Sequence, residues 1–174
     1  MYLRRSKLDD AQGSFERAIQ LHRQAHDIFG EAYDVQNLGD VHLRRNNMEE
    51  AQASFEHAVR LHRQAQDTFG EAHGVHKLGN VHLELSKLDE AKECFEKALA
   101  LFELADSVFG EAGGRLSLGR LYLQQDNVQE AELCFNRALL LYRQAQAPDS
   151  DGAAAALQLL QQLCVRKQQL SQTC

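Results

Sequence analysis

A short motif recurs along this chain at a spacing of 40 residues. Gly30-Glu31-Ala32 returns at residues 70–72 and 110–112, and Leu38-Gly39 returns at residues 78–79 and 118–119. An Ala-Phe-Ala set occurs four times, at residues 11, 15 and 18, then 51, 55 and 58, then 91, 95 and 98, then 131, 135 and 138. A fixed period of this length indicates stacked supersecondary units that pack against their neighbours. We therefore expect a repeat protein.

Each repeat is predicted to contain two helices. Helix A follows a cap-forming residue, which is Asp27, Asp67 or Ser107 in successive copies. Gly70, like its equivalents in the other copies, is then expected in the first turn of helix A. Helix B carries the Ala-Phe-Ala stripe at helical spacing and is predicted to run for about 18 residues. Its N-caps are predicted at one repeat position, occupied by Ser6, Asn46, Ser86 and Asp126.

Three glycines are predicted to lie in the middle of helix A, at positions 39, 79 and 119. A glycine in a helix interior costs roughly 1 kcal/mol relative to alanine. Three copies of an unfavourable residue at one position imply that a neighbouring helix approaches closely there.

The repeat array is predicted to cover residues 1–147, with a partial first repeat over 1–26 and full repeats over 27–66, 67–106 and 107–147. Residues 1–5 align with the tail of a helix A, so we expect either a piece of a larger array or a chain that starts in mid-repeat. Pro148 interrupts the period. A capping helix is predicted within residues 148–169, with a frayed tail over residues 170–174.

Composition excludes several classes of function. The net charge of −6 argues against nucleic acid as the main partner, because phosphate binding requires a basic surface. No apolar run reaches the roughly 18 residues that span a bilayer. The eight histidines lack the three or four converging ligands of a zinc site, and no catalytic motif is present. Cys94 and Cys134 occupy one repeat position, too far apart to form a disulfide. We expect no metal, no cofactor and no enzyme.

The recurring residues resemble the tetratricopeptide (TPR) repeat. One copy of the pattern comprises Val75, Leu78-Gly79, His82, Ala91, Phe95 and Ala98. The period of 40 is longer than the usual 34 of that family, and histidine replaces an aromatic residue at positions 42 and 82. In these respects the chain resembles Pins-type adaptors, kinesin light chains and the sensor arrays of STAND NTPases. The resemblance implies an all-α fold, a right-handed α-solenoid of stacked antiparallel helix hairpins.

The resemblance also implies a protein or peptide partner, bound on the concave surface that helix A lines. The residues placed there by the family pattern are Tyr33, Gln36, Asp40, Arg44, His73, His76, Asn80, Glu84, Leu116, Arg120 and Gln124. Two alternatives stay open: self-association as a homodimer through the truncated N-terminal end, and a role as the ligand-sensor array of a STAND-type NTPase. A cytoplasmic location is the default expectation.

Overall fold

The computed structural model describes the backbone of residues 2–172 and the side chains of residues 7–165. Within this range the chain forms eight α-helices and no strand, which confirms the predicted all-α class. The helices are α1 (Tyr2–Ala25), α2 (Ile28–Arg44), α3 (Met48–Gln64), α4 (Thr68–Glu84), α5 (Leu88–Leu104), α6 (Val108–Gln124), α7 (Val128–Gln144) and α8 (Asp151–Gln172). None of these helices has the combination of length and hydropathy needed to cross a bilayer.

The helices form two compact units, Met1–Cys94 and Phe95–Cys174, with the boundary inside α5. In the first unit, α1 packs on α2, α2 on α3 and α3 on α4, and α2 also contacts α4. In the second unit, α6 packs on α7 and α7 on α8, and α6 also contacts α8. Consecutive packed helices joined by such short turns form antiparallel hairpins, as the repeat predicted.

A phenylalanine ring packs against the mid-helix glycine of helix A in both units. A Cβ atom at Gly39 would lie 2.7 Å from the nearest ring atom of Phe55, and one at Gly119 would lie closer still to the ring of Phe135. Both phenylalanines are 0% exposed. The close approach predicted from the unfavourable glycines is therefore present, and it sets the distance between helix A and helix B.

The Gly-Glu-Ala motif joins helix B to the next helix A. At Gly70, in the first turn of α4, a Cβ atom would collide with the ring of His62 at the end of α3. The following residue, Glu71, accepts a hydrogen bond of 2.6 Å from Arg63. Ala72 is fully buried. The motif is repeated in α2, where Gly30 faces His22 and Glu31 pairs with Arg23. The motif is therefore a packing feature.

The helix A caps are confirmed. Asp27 and Asp67 each accept a hydrogen bond of 2.9 Å through Oδ1, from the N–H groups of Gly30 and Gly70 respectively. Ser107 accepts one of 3.2 Å from Gly110 through its hydroxyl oxygen. These bonds satisfy donors that the first helical turn leaves without partners.

The predicted helix B caps are wrong by one residue. Asn46, Ser86 and Asp126 have φ angles of 62°, 58° and 58° and end the preceding helix in the left-handed conformation. The N-cap is the following residue: Asn127 accepts a hydrogen bond of 3.3 Å from the Glu130 N–H. No helix begins at residue 6, because α1 runs unbroken from Tyr2 to Ala25.

The C-terminal helix begins within its predicted segment, at Asp151, and ends beyond it. Ser150 accepts a hydrogen bond of 3.3 Å from the Ala153 N–H, and α8 extends to Gln172, into the segment predicted to be frayed. The predicted tail otherwise lies outside the described residues. Ala153, Ala156 and Leu163 of α8 are buried against α7, in a cluster that includes Phe135 and Tyr142. Gln158, Gln161 and Gln162 are exposed. Cys94, Cys134 and Cys164 form no disulfide.

We predict opposite stability effects for two Gly→Ala substitutions in helix interiors. Gly39→Ala places a methyl group 2.7 Å from the Phe55 ring, and such overpacking should lower the free energy of unfolding by about 1–3 kcal/mol. Gly13→Ala in α1 is the control, since its Cβ would meet only Arg17 Nη1 at 3.9 Å. It should raise stability by about 0.5–1 kcal/mol. Urea denaturation measures both, and equal effects would contradict the ring-on-glycine contact.

Candidate partner-binding surface

The predicted binding residues of the first unit lie on α2 and α4. We call this surface the helix-A face and define it by Tyr33, Gln36, Asp40 and Arg44 on α2 with His73, His76, Asn80 and Glu84 on α4. The N-caps and the first-turn glycines described above orient both helices, and α2 contacts α4 directly. The two rows of residues are therefore neighbours in space.

Two polar links join α2 to α4 across this face. The Gln36 amide Nε2 donates a hydrogen bond of 2.9 Å to His73 Nδ1. The Lys77 ammonium donates one of 2.7 Å to Asp40, and both side chains are partly exposed. Each link joins residues 37 positions apart in sequence. They hold four of the side chains at this surface in defined positions.

A buried polar cluster lies at the start of the same two helices. His62 Nδ1 donates a hydrogen bond of 2.9 Å to Asp67 Oδ2, and the His62 side chain is 0% exposed. The Tyr33 ring meets the His62 ring edge-on with centroids 4.8 Å apart, and its hydroxyl also interacts with Asp67. Burial raises the pKa of Tyr33, and the adjacent Asp67 carboxylate adds to that effect. Tyr33 is thus as much a packing residue as a surface residue.

Two histidines of this region are held in the neutral form at neutral pH. Burial lowers the pKa of His62, although the Asp67 carboxylate opposes that effect. Burial also lowers the pKa of His73, and the charge of Lys77 lowers it further. Among the described residues, no group of three or more His, Cys, Asp or Glu side chains is arranged to hold a metal ion.

The structure corrects two of the predicted surface residues. Gln36 is 4% exposed, and Leu116 is 6% exposed within the core cluster of the second unit. The prediction that they are accessible is wrong, because the adjacent helices cover this position. Arg44 and Glu84 are exposed, and Asp40, His76 and Asn80 are half-buried. In the second unit Arg120 and Gln124 are exposed.

Lys77, the partner of Asp40, is not among the predicted surface residues. Its charge is opposite to that of Asp40, which is a usable signal. The 40-residue period does not reveal it, however, because neighbouring A helices are offset so that contacting residues are 37 apart. Asp67 is predicted as a helix cap, but the cluster that it forms with His62 and Tyr33 depends on the packing of three helices.

Two family models described as tetratricopeptide repeat match the sequence, one over residues 31–104 and the other over residues 76–151. Residues 31–151 belong to the tetratricopeptide-repeat family. The matched region includes both helices of the helix-A face apart from the first residues of α2. No curated protein matches the chain in sequence.

Solved structures share the fold of the chain at low sequence identity. BtubC (BKLC) from P. vanneervenii is 17% identical with a TM-score of 0.77, and the match covers 92% of this chain and 66% of BtubC. The apo form of RapI is 15% identical with a TM-score of 0.75, covering 96% of this chain and 66% of RapI. A Podosopora anserina putative kinesin light chain with nearly identical TPR-like repeats is 14% identical with a TM-score of 0.71, covering 98% and 84%. The chain thus spans just under two thirds of BtubC and RapI. At these identities the likeness shows the fold.

We predict that stability falls in mild acid because of the buried histidines. The folded-state pKa values of His62 and His73 lie below the ordinary value of 6.5. As the pH falls below about 6.5, the unfolded chain takes up protons that the folded chain refuses, so the free energy of unfolding decreases. Above that pH the contribution is fully present. Urea midpoints measured from pH 7.5 to 5.5 test this.

His62→Phe should reduce the slope of stability against pH, since Phe102 occupies the equivalent position of the next repeat. Gln64→Ala, at an exposed position two residues away, is the control and should keep the slope of the unmodified chain. A His62→Phe slope equal to that of the control would show that the buried imidazole is not responsible.

Proposed function

We propose that the helix-A face binds an extended or helical segment of a partner protein. Tetratricopeptide repeats generally mediate protein–protein interaction, and residues 31–151 are such repeats. The observation that carries the proposal is the pair of links from Gln36 to His73 and from Asp40 to Lys77. A surface held in place before its partner arrives loses less conformational entropy on binding.

The pattern of variation between copies supports this face. Ala32 and Gly39 recur unchanged in the next two repeats, because they are packing positions. The repeat positions that form the helix-A face differ between copies. Asp40 is replaced by Asn80 and then by Arg120, and Arg44 is replaced by Glu84 and then by Gln124. Such residues can be specialised for a partner without disturbing the fold.

The chemistry of the face favours a partner segment of mixed charge. The exposed guanidinium of Arg44 suits a carboxylate of a partner, whereas Glu84 disfavours a purely acidic partner. The Asn80 side chain offers two donors and an acceptor, which suit a peptide backbone. We assign the face a binding role and no catalytic step.

The finer assignments of the sequence analysis stay predictions. The period of 40 residues supports a place among long-period arrays such as kinesin light chains, Pins-type adaptors or STAND sensor arrays. The cytoplasmic location is likewise a prediction.

Self-association through the first helix is a second candidate function. Leu8, Ala11 and Phe15 of α1 are half-buried, so an apolar face is partly open to solvent. Light scattering over a concentration series would show the mass rising if copies of the chain associate there.

We predict that changes on the helix-A face weaken binding without unfolding the chain. A peptide selected from a displayed library against the chain should bind about 5–30-fold more weakly to Asn80→Ala or to Glu84→Arg, the range expected for an interface residue worth about 1–2 kcal/mol. Isothermal titration calorimetry measures the affinity, and thermal unfolding should be unchanged.

Arg60→Glu is the matched control for charge reversal, because Arg60 is exposed on α3, a B helix. It should leave the affinity unchanged. If Arg60→Glu weakens binding as much as the two changes on A helices, the bound peptide occupies another surface and the proposal fails.

A further inference from the structure

An exposed phenylalanine lies in the first turn of each helix A, directly before the Gly-Glu-Ala motif. Phe29, Phe69 and Phe109 are 53%, 46% and 54% exposed. Phe69 keeps this exposure although α2 contacts α4, so the exposure belongs to the repeat position and does not come from an uncovered end. Packing explains the glycine and the alanine of the motif, but it does not explain an aromatic ring that is half in water.

In the first unit, a second aromatic ring lies next to each of these phenylalanines, four residues along the helix. The ring centroids of Phe29 and Tyr33 are 4.9 Å apart, and those of Phe69 and His73 are 6.4 Å apart with an interplanar angle of 14°. We call these four side chains the aromatic edge. The two pairs adjoin, because Tyr33 interacts with Asp67, the N-cap of α4. The aromatic edge continues the helix-A face, which contains Tyr33 and His73.

Three carboxylates beside the aromatic edge have no lysine or arginine partner within the described part of the chain. Asp27 and Asp34 both contact the imidazole of His22, at 2.8 and 3.3 Å. Even a protonated His22 would therefore leave one of these negative charges uncompensated. Asp67 accepts a hydrogen bond from His62, which burial holds in the neutral form. The aromatic edge is thus bordered by net negative charge.

The basic residues nearby do not offset this charge. Arg23 and Arg63 are each paired with the glutamate of the next Gly-Glu-Ala motif, at 2.7 and 2.6 Å. Lys77 is paired with Asp40. Each of these cations is cancelled by its own carboxylate. Because the face of an aromatic ring also carries negative charge density, the rings and the uncompensated carboxylates attract the same kind of ligand, a cation.

We propose that the aromatic edge binds arginine side chains of an extended segment of a partner protein, one guanidinium over Phe29 and the next over Phe69. Arginine fits better than lysine, because its planar guanidinium stacks on a ring while its N–H groups pair with a carboxylate. The inference rests on the proposed function, since it names the chemistry that is recognised at one end of the helix-A face.

The spacing of the two arginines follows from the repeat. Packed helices lie about 8–10 Å apart, and Phe29 and Phe69 occupy equivalent positions on the neighbouring helices α2 and α4. A polyproline II segment rises about 3.1 Å per residue with three residues per turn, so side chains three positions apart point the same way and lie about 9 Å apart. A segment with arginine at every third position therefore matches the aromatic edge.

The third copy of the repeat provides a matched control. Ser107 replaces the aspartate cap, Gly113 replaces the second aromatic ring, and Gly114 lies at the repeat position of Asp34. Phe109 is as exposed as its equivalents but has neither the acids nor the adjacent ring on its own helix. It should not bind a guanidinium comparably.

The probe is a fluorescein-labelled peptide of three arginines, each separated from the next by two prolines. It should bind the full chain saturably in fluorescence anisotropy at a salt concentration of about 0.05 M, where charges are weakly screened. The same peptide with citrulline, which keeps the shape of arginine without its charge, should bind at least about tenfold more weakly. A lysine version should bind at least about threefold more weakly than the arginine peptide.

On the protein, Phe29→Leu and Phe69→Leu should each weaken binding of the arginine peptide at least about threefold, because leucine keeps the apolar bulk but has no aromatic face. Asp34→Asn should weaken it about two- to threefold, and Asp34 caps no helix. Phe109→Leu is the control and should leave the affinity unchanged. Circular dichroism establishes that each variant is folded, and either phenylalanine variant of the aromatic edge suffices for the test.

Equal binding of the arginine and citrulline peptides would overturn the inference, because the rings would then hold the prolines and not the charge. Unchanged binding by both Phe29→Leu and Phe69→Leu would overturn it as well, and so would an equal loss from Phe109→Leu. A dimer that Phe69→Leu dissociates and that the peptide does not displace would show that the occupant is a second copy. If the inference fails while Asn80→Ala still weakens the selected peptide, the proposed function stands without it.

Discussion

The close approach of an aromatic ring to a glycine is the contact on which the rest of this structure depends. Within a repeat, Phe55 packs on Gly39 and Phe135 on Gly119, joining helix A to helix B. Between repeats, a ring at the end of helix B packs on the first-turn glycine of the next helix A, as His62 does on Gly70. Within the first unit the two contacts alternate from α1 to α4. Each brings two backbones together where no Cβ atom intervenes, which buries the neighbouring alanines and excludes water from both seams.

These packing positions leave only part of helix A free to vary. In the first unit, the variable part of α2 is joined to that of α4 by the hydrogen bonds from Gln36 to His73 and from Lys77 to Asp40. Of the two, the Lys77–Asp40 pair adds little to stability, because partly exposed polar contacts exchange for hydrogen bonds to water. Their effect is to fix side-chain positions. The buried His62 has a different consequence. It contacts both Asp67 and Tyr33, and because its pKa is lowered by burial, the stability of the fold falls as the pH falls.

Helix α1 carries the same Ala-Phe-Ala pattern as the other B helices, but among the described residues no helix A packs over that pattern. Ala11 and Phe15 match Ala51 and Phe55 in type and spacing, yet they remain half-exposed because no A helix lies over them. In a repeat protein, the burial of a residue depends on the helix that packs over it as well as on the residue type.

The sequence by itself determined the helix pairs, the caps of helix A and the close approach at the glycines, because each depends on particular residues that recur every 40 positions. It misplaced the helix B caps, since Asn and Asp suit both an N-cap and the left-handed residue just before it. Only the tertiary structure decided that Gln36 and Leu116 are covered and that Lys77 reaches Asp40. Those outcomes depend on the offset between neighbouring A helices. That offset is set by how side chains interlock between helices, and the period of the sequence does not contain it.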